Sequence, residues 1–380
     1  MKILYITTVD LKQNSGVRKK IIGQVRAIRD SGHLVKIVSP RGKRIAITDE
    51  KKIDNLGDYN GSGPLRFFNL SSSLYQYSYD YLLENKYNAV FIRYSISDWN
   101  LLKLLKRLKG NGIKIFIEIP SYPYDLEYKN KQLYKRIGLY IDRLFRIKLH
   151  QYVDMIFTPS PDQKNIYGIK TVFFENGIDT TETPKREYSG FKEGRLRFIG
   201  VANINAWHGY DRVITGIAKY YEQGGDKDII FNVVGEGVEL PNLKKIAKEL
   251  NIENRIIFYG SKYGEDLDEI YNQSDIAVTS IGFFRLNSMK RTSLKTREAC
   301  LKGIPFISVK GDPTFDNGFK YIYTVEDRDV PVDIESIYNW FSKLDSNVYM
   351  KEIREFALKN LGWNKTFRNV ILEMEKCLKN

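Results

Sequence analysis

The feature that most constrains the fold is a repeating order of short apolar strands, glycine turns and helical segments. In the second half of the chain, the runs 228–235, 255–260 and 274–279 each come before a segment with helical character. Parallel strands need long crossover connections, and a helix is the usual one. The order therefore predicts an α/β fold with a parallel sheet, whose ligands lie beyond the carboxyl ends of the strands.

The first half has the same rhythm. The predicted strands are 1–9, 34–38, 89–94, 114–120, 154–158 and 171–174, and a helix is predicted near 17–31 with Ser15 as its cap. The polar stretch 180–195 separates the two halves and is predicted to be a linker. The sequence thus predicts two similar α/β domains.

The segment 293–307 combines helix signals with chemistry. Ser293 is a predicted N-cap, and Gly303 and a following proline end the helix. A helix N-terminus offers unpaired N–H groups and a partial positive charge, to which Lys295 adds a full charge. Glu298 follows one turn later. This pattern can hold a diphosphate and a ribose diol, although an ordinary surface helix would also explain it.

Several short motifs occur in a fixed order. They are Glu-Asn-Gly-Ile-Asp at 175–179, Phe-Ile-Gly at 198–200, Trp-His-Gly at 207–209, Val-Val-Gly-Glu-Gly at 233–237, Phe-Tyr-Gly at 258–260, Ser-Asp-Ile at 274–276 and Arg-Glu-Ala through Gly-Ile-Pro at 297–305. In this order and spacing, the motifs resemble those of a family 4 glycosyltransferase. The resemblance covers most of the chain.

The resemblance implies a GT-B fold, an α/β architecture of two Rossmann-like domains whose parallel sheets face an interdomain cleft. Residues 1–180 would bind the acceptor, and a C-terminal helix of about 363–380 would cross back onto that domain. Residues 195–362 would bind the nucleotide-sugar. The implied reaction is transfer of a sugar, of hexosyltransferase type and with retention of configuration, to a glycan or a polyprenyl-linked glycan.

The protein's task in such a reaction is to stabilise charge on the departing phosphate and to position the acceptor hydroxyl. The catalytic candidates are Lys295, Glu298 and His208, with Glu298 as the ribose ligand. The amides at Ser293 and Leu294 would assist at the phosphate. His208 could instead bond to backbone, and Glu298 could form a salt bridge.

Further candidates follow from the same resemblance and from the loops at the strand ends. On the donor side they are Asn203, Gly235, Gly237, Gly260 and Tyr263. On the acceptor side they are Gly16, Arg93, Tyr94, Tyr122, Asp125 and Glu127. The acceptor-side residues are chosen because Tyr and Asp suit carbohydrate hydroxyls, but an aromatic loop can also be mere packing.

The sequence departs from the common family pattern at three positions. Lys290 stands where a Glu is usual, and Asn203 and His208 stand where an Arg and a Lys usually contact the diphosphate. The chain therefore resembles the subset that carries Lys295 three residues before Glu298. That subset is common among transferases of bacterial surface and capsular polysaccharides.

The net charge of +14, from 60 basic and 46 acidic residues, suggests an anionic partner. No helix-turn-helix, zinc-finger or RNA-binding signature supports nucleic acid. Basic segments at 18–20, 101–109 and 129–150 instead favour the anionic inner face of a membrane. The alternative is that each helix packs its apolar stripe on the sheet and leaves its charges in water.

Composition narrows the remaining choices. Two Cys and three His give no disulfide framework and no zinc pattern, so no metal or other cofactor is expected. The apolar start, 1–9, is too short for a signal peptide, and no apolar run of about 18 residues predicts a membrane span. The expected location is the cytoplasm.

Two rival functions stay open. A non-hydrolysing nucleotide-sugar epimerase has two similar domains, although it needs acid and base residues that three scattered histidines hardly supply. A non-catalytic basic protein that binds glycan or nucleic acid could use the same scaffold. A dehydrogenase is disfavoured because no Gly-x-Gly-x-x-Gly turn follows the first strand. The donor's sugar and base, the linkage and the oligomeric state are not specified by the sequence.

Overall fold

The structure is a computed structural model that describes residues 1–12, 15–60, 63–128, 133–180, 184–286, 292–315 and 318–379. The chain divides into two compact units. Unit 1 comprises Met1–Ile178 and Trp363–Asn380, and unit 2 comprises Asp179–Gly362.

Unit 1 alternates strands and helices. Its elements are β1 (Lys2–Ile6), α1 (Gly16–Asp30), β2 (Leu34–Arg41), β3 (Arg44–Thr48), β4 (Ile53–Asp58), α2 (Gly63–Glu84), β5 (Ala89–Arg93), α3 (Trp99–Gly110), β6 (Lys114–Glu118), α4 (Leu133–Phe145), β7 (Met155–Thr158), β8 (Asn165–Ile166) and β9 (Ile169–Phe173). Short 3-10 turns at Asp125–Tyr128 and Arg146–Gln151 flank α4.

The sheet of unit 1 has the order β4-β3-β2-β1-β5-β6-β7-β9-β8 among the described residues. The strands from β2 to β9 in this order pair in parallel, whereas β3, β4 and β8 pair antiparallel. The predicted parallel strands are confirmed. The hairpin of β3 and β4 and the helix α2 were not predicted.

Helix α3 shows which of the two interpretations holds for the basic segment 101–109. Asp98 caps this helix by accepting a hydrogen bond from the N–H of Leu101 (2.7 Å). Its leucines are buried in the core, while its lysines point outward. This helix therefore packs its apolar stripe inward and leaves its charges in water.

Unit 2 repeats the strand–helix alternation. Its elements are β10 (Arg195–Val201), α5 (Tyr210–Glu222), β11 (Asp228–Val234), α6 (Leu240–Glu249), β12 (Ile256–Gly260), α7 (Gly264–Asn272), β13 (Ile276–Val278), α8 (Leu294–Lys302), β14 (Phe306–Ser308), β15 (Ile322–Thr324), α9 (Ile334–Phe341) and α10 (Ser346–Asn360). The chain then returns to unit 1 as α11 (Trp363–Thr366) and α12 (Arg368–Lys379).

The sheet of unit 2 has the order β12-β11-β10-β13-β14-β15, and every described pair is parallel. Numbered within the unit, this is the strand order 3-2-1-4-5-6 of doubly wound nucleotide-binding sheets. Successive strands are added on one side of β10 up to β12 and on its other side from β13 onward, so the order of the strands reverses between β10 and β13. Ligands of such sheets bind at this switch point, beyond the carboxyl ends of the strands.

The described part of the predicted linker packs on unit 2. The side chain of Arg186 is buried, donates to the carbonyl of Ser274 (2.5 Å) and stacks over the ring of Tyr188. The Tyr188 hydroxyl in turn donates to Asp275. Residues 184–194 therefore form part of the surface of unit 2.

No described helix has both the length and the apolar character needed to cross a bilayer. Among the described residues, no group of three or more His, Cys, Asp or Glu is arranged to hold a metal ion.

Candidate functional site

The loops after β10 and β13 meet at the switch point of unit 2. The N–H of Ile281 donates to the carbonyl of His208 (3.1 Å), and the N–H of Gly282 donates to that of Trp207 (3.2 Å). Gly209 has a φ of 68°, and a Cβ there would lie 2.8 Å from the Ile281 side chain. The chain needs glycine at this point because both the backbone angle and the space exclude a side chain.

The orientation of the His208 ring is fixed by a short turn. The 3-10 turn Ala206–His208 begins after Asn205, whose backbone N–H lies 3.0 Å from His208 Nδ1. A backbone N–H can only donate, so Nδ1 must accept. In the neutral ring the proton therefore sits on Nε2, which makes this atom a donor.

Lys295 faces that donor from the first turn of α8. Ser293 caps the helix, as predicted, by accepting the N–H of Lys295 on its Oγ (3.3 Å). The Lys295 Nζ lies 3.1 Å from His208 Nε2. Burial lowers the pKa of Lys295 to about 8, against the opposing effect of the Glu298 charge. Lys295 is thus mainly protonated at pH 7.

Both groups are hydrogen-bond donors at neutral pH. Burial, together with the charge of Lys295, lowers the pKa of His208 well below its usual value, so the ring is neutral at pH 7. The Nε2–H and the ammonium are then both donors, and neither has an acceptor among the described residues. Two buried donors that face each other without a partner are costly. An anionic oxygen that accepts from both removes this cost.

Glu298 lies one turn further along α8. Its side chain is half-buried and has neither a hydrogen bond nor an ion pair to any described residue. The salt-bridge alternative therefore has no support in the described part of the chain. A carboxylate that is partly removed from water and not yet paired can accept from two neighbouring hydroxyls.

The predicted glycines shape the strand ends. A Cβ at Gly235 would lie 1.8 Å from the carbonyl oxygen of Ala202, and one at Gly237 would lie 2.1 Å from that of Ile204. These two glycines let the loops after β10 and β11 pack backbone against backbone. At Gly260 the φ is 65°. Donor contact by any of the three stays a prediction.

The other donor-side candidates are solvent-accessible. The Asn203 side chain is exposed, while its carbonyl accepts from Asn205 Nδ2 (2.7 Å). Tyr263 begins α7 and is 56% exposed. Lys290 lies outside the described residues. The assignment of Asn203 and Tyr263 to the donor stays a prediction.

Sequence reasoning missed two residues that position the site. Asn205 orients His208, and its place three residues earlier is a readable capping pattern. Arg297, in α8, was noted only as part of a motif. Its buried guanidinium pairs with Asp312 (3.0 Å from Nη2 to Oδ1) and also bonds Thr296 Oγ1 (2.8 Å). This pair anchors α8, but nothing in the sequence pairs residues 297 and 312.

In unit 1, Arg93 lies in a buried ion cluster. Glu118, at the end of β6, accepts from Lys20 Nζ (2.7 Å) and from Arg93 Nη1 (2.9 Å). Burial lowers the pKa of Lys20 to about 8. Burial alone would raise the pKa of Glu118, but the two cations outweigh it and hold that pKa below its usual value. Arg93 thus has an internal partner, and its acceptor role stays a prediction.

The acceptor-side candidates after β5 and β6 are held by internal contacts. The Tyr94 hydroxyl donates to the buried Asp142, Asp125 pairs with Arg143 Nη2 (2.8 Å), and Glu127 accepts from Ser121 Oγ (2.8 Å). These contacts order both loops.

Two further acceptor-side candidates complete the set. The ring of Tyr122 packs edge-on against those of Tyr124 and Tyr167. Gly16 starts α1, is exposed, and has no atom within 4 Å of an added Cβ. Acceptor contact by Gly16, Tyr94, Tyr122, Asp125 and Glu127 stays a prediction.

Comparison with known proteins places these elements in a family context. Residues 181–316, which include His208, Lys295 and Glu298, match the family model of glycosyl transferases group 1. A curated relative, mannosylfructose-phosphate synthase from Agrobacterium fabrum (strain C58), is 26% identical over 154 residues. That match covers 35% of this chain and 34% of the relative, so the chain spans about a third of that relative's length.

Solved structures are similar over the whole chain. A glycosyltransferase from Rickettsia africae ESF-5 has a TM-score of 0.66 at 16% identity. The match covers 100% of this chain and 99% of that structure's chain. The catalytic domain of starch synthase IV from Arabidopsis thaliana, bound to ADP and acarbose, has a TM-score of 0.64 at 13% identity, with coverage of 100% and 98%. The chain therefore has the fold of GT-B glycosyltransferases, and the residues that match the model of glycosyl transferases group 1 lie within unit 2.

Proposed function

We propose that the protein transfers a sugar from a nucleoside diphosphate donor to a glycan or a lipid-linked glycan. The observation that carries this proposal is the pair of unpartnered donors, His208 Nε2–H and Lys295 Nζ, 3.1 Å apart at the N-terminus of α8. A diphosphate supplies the anionic oxygens that such a pair lacks. The ADP in the starch synthase structure supports a nucleoside diphosphate as the ligand class.

The same residues can promote departure of the diphosphate. Negative charge grows on its oxygens as the bond to the sugar breaks, and donors already in place stabilise that charge without having to reorganise. The Lys295 ammonium, the His208 Nε2–H and the first N–H groups of α8 are such donors. Glu298 would hold the ribose hydroxyls and so keep the diphosphate in register. We further propose, from the family resemblance, that the sugar is transferred with retention.

The acceptor and setting follow from other parts of the chain. The pattern of Lys295 three residues before Glu298 supports a role in bacterial surface polysaccharide synthesis, and the excess of basic residues in the first half supports a lipid-linked acceptor. The proposed location is the cytoplasm, at the inner face of the membrane. Donor base, donor sugar and linkage are left to experiment.

A thermal-shift panel of ADP, UDP, GDP, CDP and dTDP sugars tests the donor class. A ligand at 100 times its dissociation constant stabilises the native protein by about 2.7 kcal/mol. Release of the nucleoside diphosphate is then measured with the best donor. Lys295→Ala and Glu298→Ala should lose turnover while retaining the fold, and Lys343→Ala, at an exposed lysine of the same unit, serves as the control.

Two results would contradict the proposal. One is a panel in which no nucleotide-sugar raises the melting temperature of the wild-type protein. The other is unchanged release of nucleoside diphosphate by both site variants. Conversion of the donor to a free epimer without any acceptor would instead support the epimerase.

A further inference from the structure

Helix α4 of unit 1 carries an apolar stripe on its outer surface. The stripe consists of Leu133, Ile137, Tyr140 and Leu144, continued by Ile147 in the 3-10 turn that follows, and is called the outer stripe here. At about 100° per residue, the four helical members lie within about 60° of one another. All five side chains are between 50% and 70% exposed. An amphipathic helix of a globular protein normally turns such a stripe inward.

The helix cannot roll over to bury this stripe, because its opposite face is fixed. Gly138, Leu139 and Asp142 are buried, and they lie on the side facing away from the outer stripe. The Asp142 carboxylate accepts the backbone N–H of Ser97 (2.7 Å) and the hydroxyl of Tyr124 (2.7 Å). Breaking these bonds would leave a buried carboxylate unpaired, which is costly.

The charged side chains around the outer stripe indicate which kind of partner would cover it. Over the described residues 133–151, the exposed charged side chains are all basic: Lys135, Arg136, Arg143 and Lys148. The acid in this stretch, Asp142, is buried. Arg136 and Arg143 flank the outer stripe on one side and Lys148 on the other. Apolar side chains between flanking cations match the boundary between lipid headgroups and acyl chains, where tyrosines are also favoured.

We propose that the outer stripe docks unit 1 onto an anionic lipid bilayer. The apolar side chains enter the headgroup boundary while Arg136 and Lys148, which flank the stripe, meet the lipid phosphates. A second copy of this chain is a poorer occupant, because it would bring like charges together. A bilayer with anionic lipids is complementary to both the apolar and the cationic side chains of this surface.

The docking surface adjoins the loop that carries the acceptor-side candidates. Helix α4 packs on the 3-10 turn Asp125–Tyr128, and Asp125 pairs with Arg143 and with Arg146 (3.1 Å). That turn follows the carboxyl end of β6. Docking would hold this loop close to the lipid, where a lipid-linked acceptor presents its glycan. This consequence rests on the proposed function, whereas the lipid binding itself does not.

Cosedimentation of the full chain with vesicles tests the docking. Vesicles of phosphatidylcholine with 30% phosphatidylglycerol are compared with vesicles of phosphatidylcholine alone, in low salt. A buried apolar side chain of this size is worth roughly tenfold or more in a binding constant. The triple variant Ile137→Ser/Tyr140→Ser/Leu144→Ser should therefore bind the anionic vesicles roughly 1000-fold more weakly. The control Leu83→Ser/Leu372→Ser, at exposed leucines on other helices of unit 1, should stay within about twofold.

A charge variant separates the two parts of the surface. Each basic residue near an anionic bilayer adds about fivefold to the binding constant. Arg136→Gln/Lys148→Gln should therefore bind anionic vesicles roughly 25-fold more weakly. Residual binding of this variant should depend much less on salt than that of the wild type.

A fluorescence measurement on a single-site variant tests membrane contact even if the multiple variants misfold. Leu144→Cys in a Cys377→Ser background carries a polarity-sensitive dye, while Cys300 is buried. Its emission should shift to the blue on anionic vesicles, and the same dye on Leu372→Cys should not shift.

The proposal is overturned if wild-type protein does not bind anionic vesicles in low salt, or if the stripe variant binds as well as wild type. It is equally overturned if the stripe seals a protein dimer that ignores lipid. Release of nucleoside diphosphate without vesicles is a separate assay, so failure of docking and failure of the proposed function are distinguishable.

Discussion

Both units hold a lysine that is largely removed from water at the carboxyl edge of a sheet, but the two lysines have opposite surroundings. Burial lowers the pKa of Lys20 in unit 1 and that of Lys295 in unit 2 to about 8. Lys20 lies 2.7 Å from the carboxylate of Glu118. Lys295 faces the neutral ring of His208 at 3.1 Å. One cation is satisfied within the protein, and the other faces a second donor.

The difference separates a structural charge from a ligand-binding one. A buried cation with an internal carboxylate is part of the folded core, and removing either partner exposes the other to the cost of burial. A cation that is removed from water without an internal carboxylate lowers stability until an anion binds. Such perturbed ionisable groups are common at binding sites. Lys20 should therefore matter for stability and Lys295 for turnover.

The largest expected effect is on the stability of unit 1. Glu118→Gln removes the anion that lies between Lys20 and Arg93 and should lower the free energy of unfolding by about 3–5 kcal/mol. Chemical denaturation measures the loss. Asp58→Asn is the control, because its partner Arg44 is 3.7 Å away and both side chains are well exposed, so a loss below about 1 kcal/mol is expected. A similar loss in the two variants would contradict the contrast.

A pair of lysine variants tests the contrast directly. Lys295→Met should lower kcat about 10²- to 10³-fold, as loss of one charge-stabilising donor does, with unchanged or increased melting temperature. Lys20→Met should lower the melting temperature instead, because Glu118 becomes a buried carboxylate with one partner fewer. Steady-state kinetics and thermal melts are measured on both proteins. If Lys20→Met kept its stability, the structural assignment of Lys20 would be wrong.

Variants of Glu298 and Lys295 distinguish ribose binding from diphosphate binding within unit 2. Glu298→Gln keeps the size of the side chain but weakens hydrogen bonds to a ribose diol, since bonds to a charged acceptor are worth about 1.5–3 kcal/mol. Affinity for a nucleoside diphosphate should fall about 10- to 100-fold in calorimetry, while affinity for inorganic pyrophosphate should not change. Lys295→Met should weaken both ligands. Equal losses of the two ligands in Glu298→Gln would remove the ribose assignment.

The smallest effect is a dependence on pH. Lys295 loses its proton as the pH rises through about 8, so nucleoside diphosphate affinity should fall up to tenfold per pH unit above that value. In the unfolded chain this lysine stays protonated up to the ordinary lysine pKa of 10.5, so the ligand-free protein should gain stability with pH over this window. Calorimetry between pH 7 and 9.5 measures the affinity, and Lys295→Met should abolish its slope.

The sequence was sufficient for elements that depend on local signals. Helix α8 begins at Ser293 and ends at Gly303, whose φ is 67°, as its capping residues predicted. The parallel strands were likewise predicted from their apolar runs. The antiparallel hairpin of β2 and β3, by contrast, is marked by a local signal, the two-residue turn Gly42–Lys43.

The remainder depends on contacts between distant residues. The outward direction of α4 is fixed by Asp142, whose partner Ser97 is 45 residues away. The sequence showed a basic helix with an apolar stripe but could not say which way the stripe points. Helix α3 is also basic with an apolar stripe, and it buries its leucines. Similarly, nothing local pairs Lys20 with Glu118, so the lysine of unit 1 could not be distinguished from that of unit 2.

The hydrogen bond from Asn205 to the His208 ring limits which substitutions the protein can accept at residue 208. An imidazole with one nitrogen permanently occupied cannot relay protons, so it serves as a stationary dipole, closer to an amide than to a general acid. An uncharged side chain of similar reach, as in His208→Gln, is then the conservative replacement, and a permanently charged one is not. As the pH falls, we expect the acceptor and the leaving group to be protonated before the His208 ring is, so a loss of turnover in acid should not come from His208.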